Sequence, residues 1–198
     1  MELIYKKMWD QAEEKQDLRD DKGHAKTVLE FAQMLSEIFN ANKKIVIPAA
    51  IFHDTGYFGM DKGVLSEMMA GKLPEEASKQ IKKEHMQKGG EIAKEILLEL
   101  NYDPSLIKEI VRIIENHDLD NECMSIEEKI VRDADKLWRF SKRGFDLDVK
   151  RRNWPAEKWY SYLKGNLDKP GYFQTKEARG IAQNELEKRR KEEIESIS

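Results

Sequence analysis

The stretch AAIFHDTGYF, residues 49–58, sets a histidine and an aspartate side by side at the end of an apolar run, with a glycine two residues on. Upstream, KKIVIPAA continues the apolar character, so residues 43–59 read as a helix that Pro48 starts or kinks. Proline cannot donate the interior hydrogen bond, and it disfavours helical geometry at Ile47. Gly56 suits a C-terminal cap, because a residue without a β-carbon turns freely. Side chains as polar as His53 and Asp54 sit where a buried face should continue only when something compensates them.

Working outward, the chain reads as helical nearly everywhere. Residues 4 to about 20 carry Ile4, Met8 and Ala12 at helical spacing. Gly23 breaks the chain before GHAKTVLEFAQMLSEIFN, whose Val28, Phe31, Ala32, Leu35, Ile38 and Phe39 form one apolar face. From Pro74, PEEASKQIKKEHMQKGGEIAKEILLELN is one long helix or two broken at Gly89 and Gly90. Asp103 and Pro104 open another, and Ser125 with Glu128 forms a capping-box pattern before IVRDADKLW. NWPAEKWYSYL reads as a short helix, followed by a turn at residues 169–171. TKEARGIAQNELEKRRKEEIE is a charged helix with a narrow stripe of Ala178, Ile181, Ala182 and Leu186, a docking arm or a frayed end. With no alternating strand run, repeat or low-complexity segment, the fold class is all-α.

Composition bounds the function. The 198 residues, 39% of them apolar, suffice for one domain with a real core. A net charge of −3 gives no global field for nucleic acid or an anionic membrane. Cys123 stands alone, which excludes an internal disulfide or a CxxC site and leaves a half-buried thiol as the expectation. The N-terminal stretch lacks the apolar segment of a signal peptide, and residues 45–52, the longest apolar run, are too few to cross a bilayer, so a cytoplasmic location is expected.

All four histidines fall on inward faces. His24 precedes Val28 by four residues and Phe31 by seven; His53 follows Ala50 and Ala49 by three and four; His85 follows Ile81 by four; His117 follows Ile114 and Ile113 by three and four. One such histidine is usually a hydrogen-bonded core residue. The aspartates change the balance, since Asp135 sits between Ala134 and Leu137 on the same kind of interior face. An ionised carboxylate buried alone costs several kcal/mol, and a cation is its natural compensation. Imidazoles and carboxylates together suit manganese, iron, cobalt, nickel or zinc, and suit calcium poorly. Asp133, two residues earlier, falls on another side of its helix, at the surface or behind the ligands.

The order His24, His53–Asp54, Asp135, with FHDTG and IVRDAD around the ligands, resembles the HD-domain superfamily of metal-dependent phosphohydrolases over about residues 24–138. The resemblance implies an HD-type helical bundle over residues 1–150 and a helical extension over 151–198 packed on the same domain. It implies one divalent ion held by His24, His53, Asp54 and Asp135, and a second, bridged by Asp54, held by His85 and His117. His53 and Asp54 become the catalytic pair. Two such ions about 3.5–4 Å apart hold a water as hydroxide at neutral pH and orient a phosphoryl group. The position three after Asp54 is often lysine or glutamate in this superfamily and here is Tyr57, which donates a hydrogen bond but carries no charge at pH 7.

Asp61, Glu115 and Asp118 are candidate proton carriers or plain surface acids. Residues 136–152 are rich in Lys and Arg, among them Arg151 and Arg152, and the stretch is expected to line the pocket mouth and bind anionic groups, with Arg139 and Lys142, one and two turns beyond Asp135, reaching a phosphate, unless it is a solvated helix end. Trp154, Trp159, Tyr160, Tyr162, Tyr172 and Phe173 either stack a base or pack the C-terminal part on the core; packing is favoured. The expected partner is a small phosphorylated, nucleotide-like substrate, with no membrane and no stable nucleic-acid complex; the C-terminal helix offers a surface for a homodimer. The same ligand pattern also resembles di-iron oxygenases of this superfamily, and a nucleotide sensor without turnover is a further alternative.

Overall fold

In the computed structural model, which describes residues 2–19, 21–119 and 122–194, the chain forms ten α-helices, and no strand occurs among the described residues. Helix α1 spans Leu3–Ala12 and ends, through a 3-10 turn at Glu13–Lys15, well short of the expected limit near residue 20, which itself lies outside the described residues. The reason lies in the next helix. Helix α2, His24–Phe39, starts at Gly23, which has no side chain to cap it and a φ of 91°. The Asp17 carboxylate serves instead, accepting from the backbone N–H of Gly23 and, at 2.9 Å, of Ala25. The chain leaves α1 early so that this loop can satisfy the open donors of α2.

Helix α3, Lys43–Phe52, is capped by the Asn42 side chain and contains Pro48 in its interior. The carbonyl that proline leaves without its usual donor belongs to Lys44, and the Tyr102 hydroxyl donates to it at 2.7 Å. Residues 46–52 are all buried, as an all-apolar helix must be, and α3 packs against α1 and α2. After a 3-10 turn at Thr55–Tyr57 comes α4, Lys62–Met69, which Asp61 caps and which apolar periodicity did not single out. Helix α5 runs unbroken over Glu75–Glu99, through Gly89 and Gly90. Helix α6, Pro104–Asn116, is capped by Asp103. Helix α7, Ile126–Leu137, is capped by Ser125, but Glu128 does not return the capping-box bond. Its carboxylate accepts from the backbone N–H of Met124 and pairs with Arg112 and Arg132.

Helices α8 (Lys142–Arg152), α9 (Ala156–Leu167) and α10 (Lys176–Arg189) complete the order. The last of them continues into a π turn at Arg190–Ile194, and residues 195–198 lie outside the described residues. Trp159, Leu163, Ala178, Ala182 and Leu186 enter the same buried cluster as Val28, Ile51 and Ile114. The α10 stripe read as a dimer surface is therefore buried within the chain. Asp133 corrects its placement too: it is fully buried and accepts from the backbone N–H groups of Gln174 and Thr175 at 2.7 and 2.9 Å and from the Thr175 hydroxyl at 2.6 Å, tying the start of α10 to α7. Cys123 is buried rather than half-buried. No helix among the described residues is long and apolar enough to cross a membrane.

Candidate metal centre

The doublet sits where α3 stops. His53 is the residue after its last turn, and Asp54 leads into the 3-10 turn, so the backbone leaves helical geometry between them and both side chains turn to one point. Gly56 contributes by a different route from the cap expected of it. Its φ is not positive; instead a β-carbon there would lie 1.8 Å from the His85 carbonyl oxygen and 2.6 Å from the Gly89 nitrogen. Gly56 and Gly89 let the turn and α5 touch backbone to backbone, which carries His85 to the doublet.

The Asp54 carboxylate divides between two groups of histidines. Oδ2 lies 3.0 Å from His24 Nε2 and 3.4 Å from His53 Nε2; Oδ1 lies 3.5 Å from His85 Nε2 and 3.6 Å from His117 Nε2. Asp135 Oδ1 completes the first group at 3.3 Å from His24 Nε2 and 3.7 Å from His53 Nε2. The structure thus gathers His24, His53, Asp54 and Asp135 into one potential metal cluster, and Asp54, His85 and His117 into another.

These atoms fit cations. His53 Nδ1 and His117 Nδ1 each face a carbonyl oxygen at 2.8 Å, Ala50 and Ile114 respectively, so those nitrogens carry the hydrogen and leave the Nε2 lone pairs pointing inward. Lone pairs then face lone pairs and carboxylate oxygens, with His24 and His53 Nε2 only 3.0 Å apart. His24 Nδ1 and His85 Nδ1 are buried without a hydrogen-bond partner, so no neighbour fixes those rings the other way round. A divalent ion about 2.0–2.2 Å from its ligands separates neighbouring donors by roughly 3 Å. The spacings here match.

Without an ion, protons and Arg19 hold the charges. Burial disfavours the charged form of His53, but Asp54 and Asp135 outweigh it and lift its pKa to about 10. His24 is raised by the same contest, burial against Asp135 and Asp54. Asp54 is held well below the usual carboxylate range because Arg19 and His53 overcome the effect of burial. His85 moves the other way, to about 3, driven by burial and by the neighbouring His117. In chelator-treated protein the raised His53 adds stability that is fully present below about pH 6.5 and is lost as the pH rises through about 10. Its melting temperature is expected to fall between about pH 7 and pH 10, and saturating manganese, which takes the proton's place, to flatten the fall. A melting temperature that climbs over this interval contradicts the assignment.

A cavity of about 330 Å³ opens beside the two clusters. Of the residues expected to meet substrate, Arg139 lines it, and so does Tyr57, whose ring stacks on His85 at 4.1 Å with the Arg19 guanidinium 4.8 Å from its centre. Burial keeps the Tyr57 hydroxyl protonated. Lys142 is not among the lining residues. The chain turns at Trp138–Phe140 and Ser141 caps a new helix, so helical counting from Asp135 fails there, and Lys142 pairs with Asp146 at 2.9 Å on the exposed side. Of the three candidate proton carriers, Asp118 lines the cavity, ion-paired with Lys82 at 2.9 Å, whereas Asp61 caps α4 and Glu115 is exposed. Among the aromatics, Trp159 and Tyr160 are core, while Tyr162 and Tyr172 reach the cavity wall.

Sequence reasoning missed Arg19 and Asp21. Arg19 bonds Asp21 and Asp54 and lies with them on the cavity wall. Both residues belong to the loop before α2, where no periodicity marks a face; the only available signal was the charged run DLRDDKGH leading directly into His24.

A family model described as HD domain matches residues 22–139. Among solved structures, the crystal structure of a predicted HD superfamily hydrolase from an uncultured Thermotogales bacterium superposes with a TM-score of 0.56 at 21% identity, covering 93% of this chain and 83% of that one. At that identity the likeness speaks for the fold. No curated protein matches the sequence.

Proposed function

This chain belongs to the HD domain family, and from that premise we propose that it is a metal-dependent phosphohydrolase acting on a small, nucleotide-like phosphate ester. The observation that carries the proposal is the Asp54 carboxylate, which turns one oxygen to each of two histidine groups in a buried pocket. A pair of manganese, iron, cobalt, nickel or zinc ions, when bound, supplies an acidified water and positive charge for phosphoryl oxygens.

The chain's own groups do the rest. His24, His53 and Asp135, with Asp54, would hold one ion, and His85 and His117, again with Asp54, a second, with the Nδ1–carbonyl bonds of His53 and His117 aiming those rings. Asp54 sets the spacing between the two positions. Arg19, once cations take over its hold on Asp54, can donate to an oxygen of the reacting phosphoryl group, and Arg139 at the cavity wall can donate to an anionic part of the substrate farther from the ions. Tyr57 keeps a flat, uncharged surface between Arg19 and His85. Asp118, which lines the cavity beside Lys82, is the group we assign to exchange a proton with the leaving group.

The test is metal analysis of purified protein by plasma emission, then a panel of chromogenic phosphomonoesters, phosphodiesters and nucleotides with manganese or cobalt under argon. Hydrolysis that a chelator abolishes is expected. Activity that needs both iron and dioxygen would instead identify an oxygenase, and tight nucleotide binding without product a sensor.

A further inference from the structure

We infer that the cavity contains a second anion site, built by Arg139, Arg151 and Arg152, which binds a phosphate that does not react, so that the substrate carries two phosphate groups. The inference rests on the phosphohydrolase reading only for the group that is cleaved.

Charge pairing in the wall points there. Four carboxylates line the cavity, and each is already matched: Asp21 by Arg19, Asp118 by Lys82, Asp54 and Asp135 by the histidines or the ions that replace their protons. Lys136, Arg139, Arg151 and Arg152 also line it, and the acid facing this group is Asp148. Asp148 is fully buried; it takes Arg151 Nε at 2.5 Å and lies 3.7 Å from Arg139 Nη1, so two guanidinium groups share one carboxylate. Lys136 donates to the Tyr172 carbonyl at 2.6 Å. Arg152 has no carboxylate within ion-pair distance among the described residues; its guanidinium is 4.9 Å from the centre of the Trp159 ring.

Three formal positive charges are therefore left over on one side of a small cavity. Burial lowers the basicity of Arg151, with Asp148 opposing and Arg139 and Arg19 adding to the fall, whereas for Arg139 burial is outweighed by Asp148, Tyr172 and Asp135, which raise it. Arg151 Nη1 and Arg152 Nε are moreover buried without an acceptor. A helix-dipole explanation, basic residues favoured in the last turn of α8, accounts for exposed Lys150 but not for guanidinium groups drawn inward. Planar guanidinium pairs match phosphate, and a single phosphate held at the ions would leave this wall unneutralised.

Two measurements decide it. Calorimetric titration of inorganic phosphate into chelator-treated protein is expected to show one binding site, weakened about tenfold or more in Arg151→Gln, the loss of one charged hydrogen-bond partner. Arg152→Gln, which breaks no carboxylate pair, serves as the second variant should the first fail to fold by circular dichroism. Absence of binding, or equal binding by the variant that folds, overturns the site. With manganese, wild type is expected to favour adenosine 3′,5′-bisphosphate over adenosine 5′-monophosphate by about tenfold or more in kcat/KM, and the variants to lose most of that ratio. A wild type without the preference, or variants that keep it, overturns the two-phosphate substrate. If no phosphate ester is turned over while phosphate binding remains sensitive to Arg151 or Arg152, it is the phosphohydrolase reading that fails, and the anion site stands.

Discussion

Replacing Asp54 with alanine is expected to bring phosphate-ester hydrolysis down to the protein-free rate and to remove most of the bound metal. Among the described residues, Asp54 alone belongs to both potential clusters: His24 and His53 border Oδ2, His85 and His117 border Oδ1. Losing a single histidine should therefore cost one ion, so His117→Ala is expected to retain about half the metal, whereas Asp54→Ala loses its hold on both. The substitution also deprives Arg19, 12% exposed at its side chain, of one of its two carboxylates. A buried cation left short of a partner destabilises the fold, so a lower melting temperature accompanies the loss. Asp54→Asn separates the two effects. It keeps an oxygen for Arg19 and the shape of the side chain, yet removes the charge both ions need, and its expected outcome is near-native melting with low metal content and no turnover. Plasma emission and a chromogenic phosphate assay on the three variants read this directly; an Asp54→Ala protein with full metal and turnover would leave the centre without its bridge.

What the sequence could tell divides along one physical line. Inward direction of a side chain is set by helical period, a local property, and so His24, His85 and His117 are legible from their spacing to Val28, Ile81 and Ile114, and Asp135 from its place between Ala134 and Leu137. Caps are local as well, and Asp103 and Ser125 open α6 and α7 as their sequences suggest. Properties that depend on contact between distant segments were not legible. Asp133 reads only as an acid on another side of its helix, at the surface or behind the ligands, because its partners, Gln174 and Thr175, come 41 and 42 residues later. Lys142 was counted along a helix that in fact stops at Leu137. The basic stretch 136–152 reads equally as a pocket mouth or a solvated helix end, and which of its residues turn inward, Lys136, Arg139, Arg151 and Arg152, is decided by how α8 packs. Arg19 lies in a loop, where spacing carries no information about direction.

Gly56 belongs with these long-range features, and it yields the second large effect. Gly56→Ala is expected to lower stability by about 3 kcal/mol or more and to cost the second ion selectively. The new β-carbon would fall 1.8 Å from the His85 carbonyl oxygen and 2.6 Å from the Gly89 nitrogen, and both obstacles are backbone of α5, which cannot swing aside as a long side chain can. Either the doublet turn or α5 must retreat. His85 rides on that part of α5, and its Nε2 stands 3.5 Å from Asp54 Oδ1, so a retreat of even one ångström removes it from coordinating reach while His24, His53 and Asp135 keep theirs. Gly89→Ala makes the control, because the same addition there meets the Ile114 methyl at 3.2 Å and backbone atoms no nearer than 3.4 Å, gaps that small side-chain shifts can absorb. Urea denaturation and metal counting on both variants should rank them far apart: severe loss of stability and one ion remaining for Gly56→Ala, a small loss and both ions for Gly89→Ala. Equal stability and equal metal content in the two proteins would show that His85 owes its position to something other than the contact between these glycines.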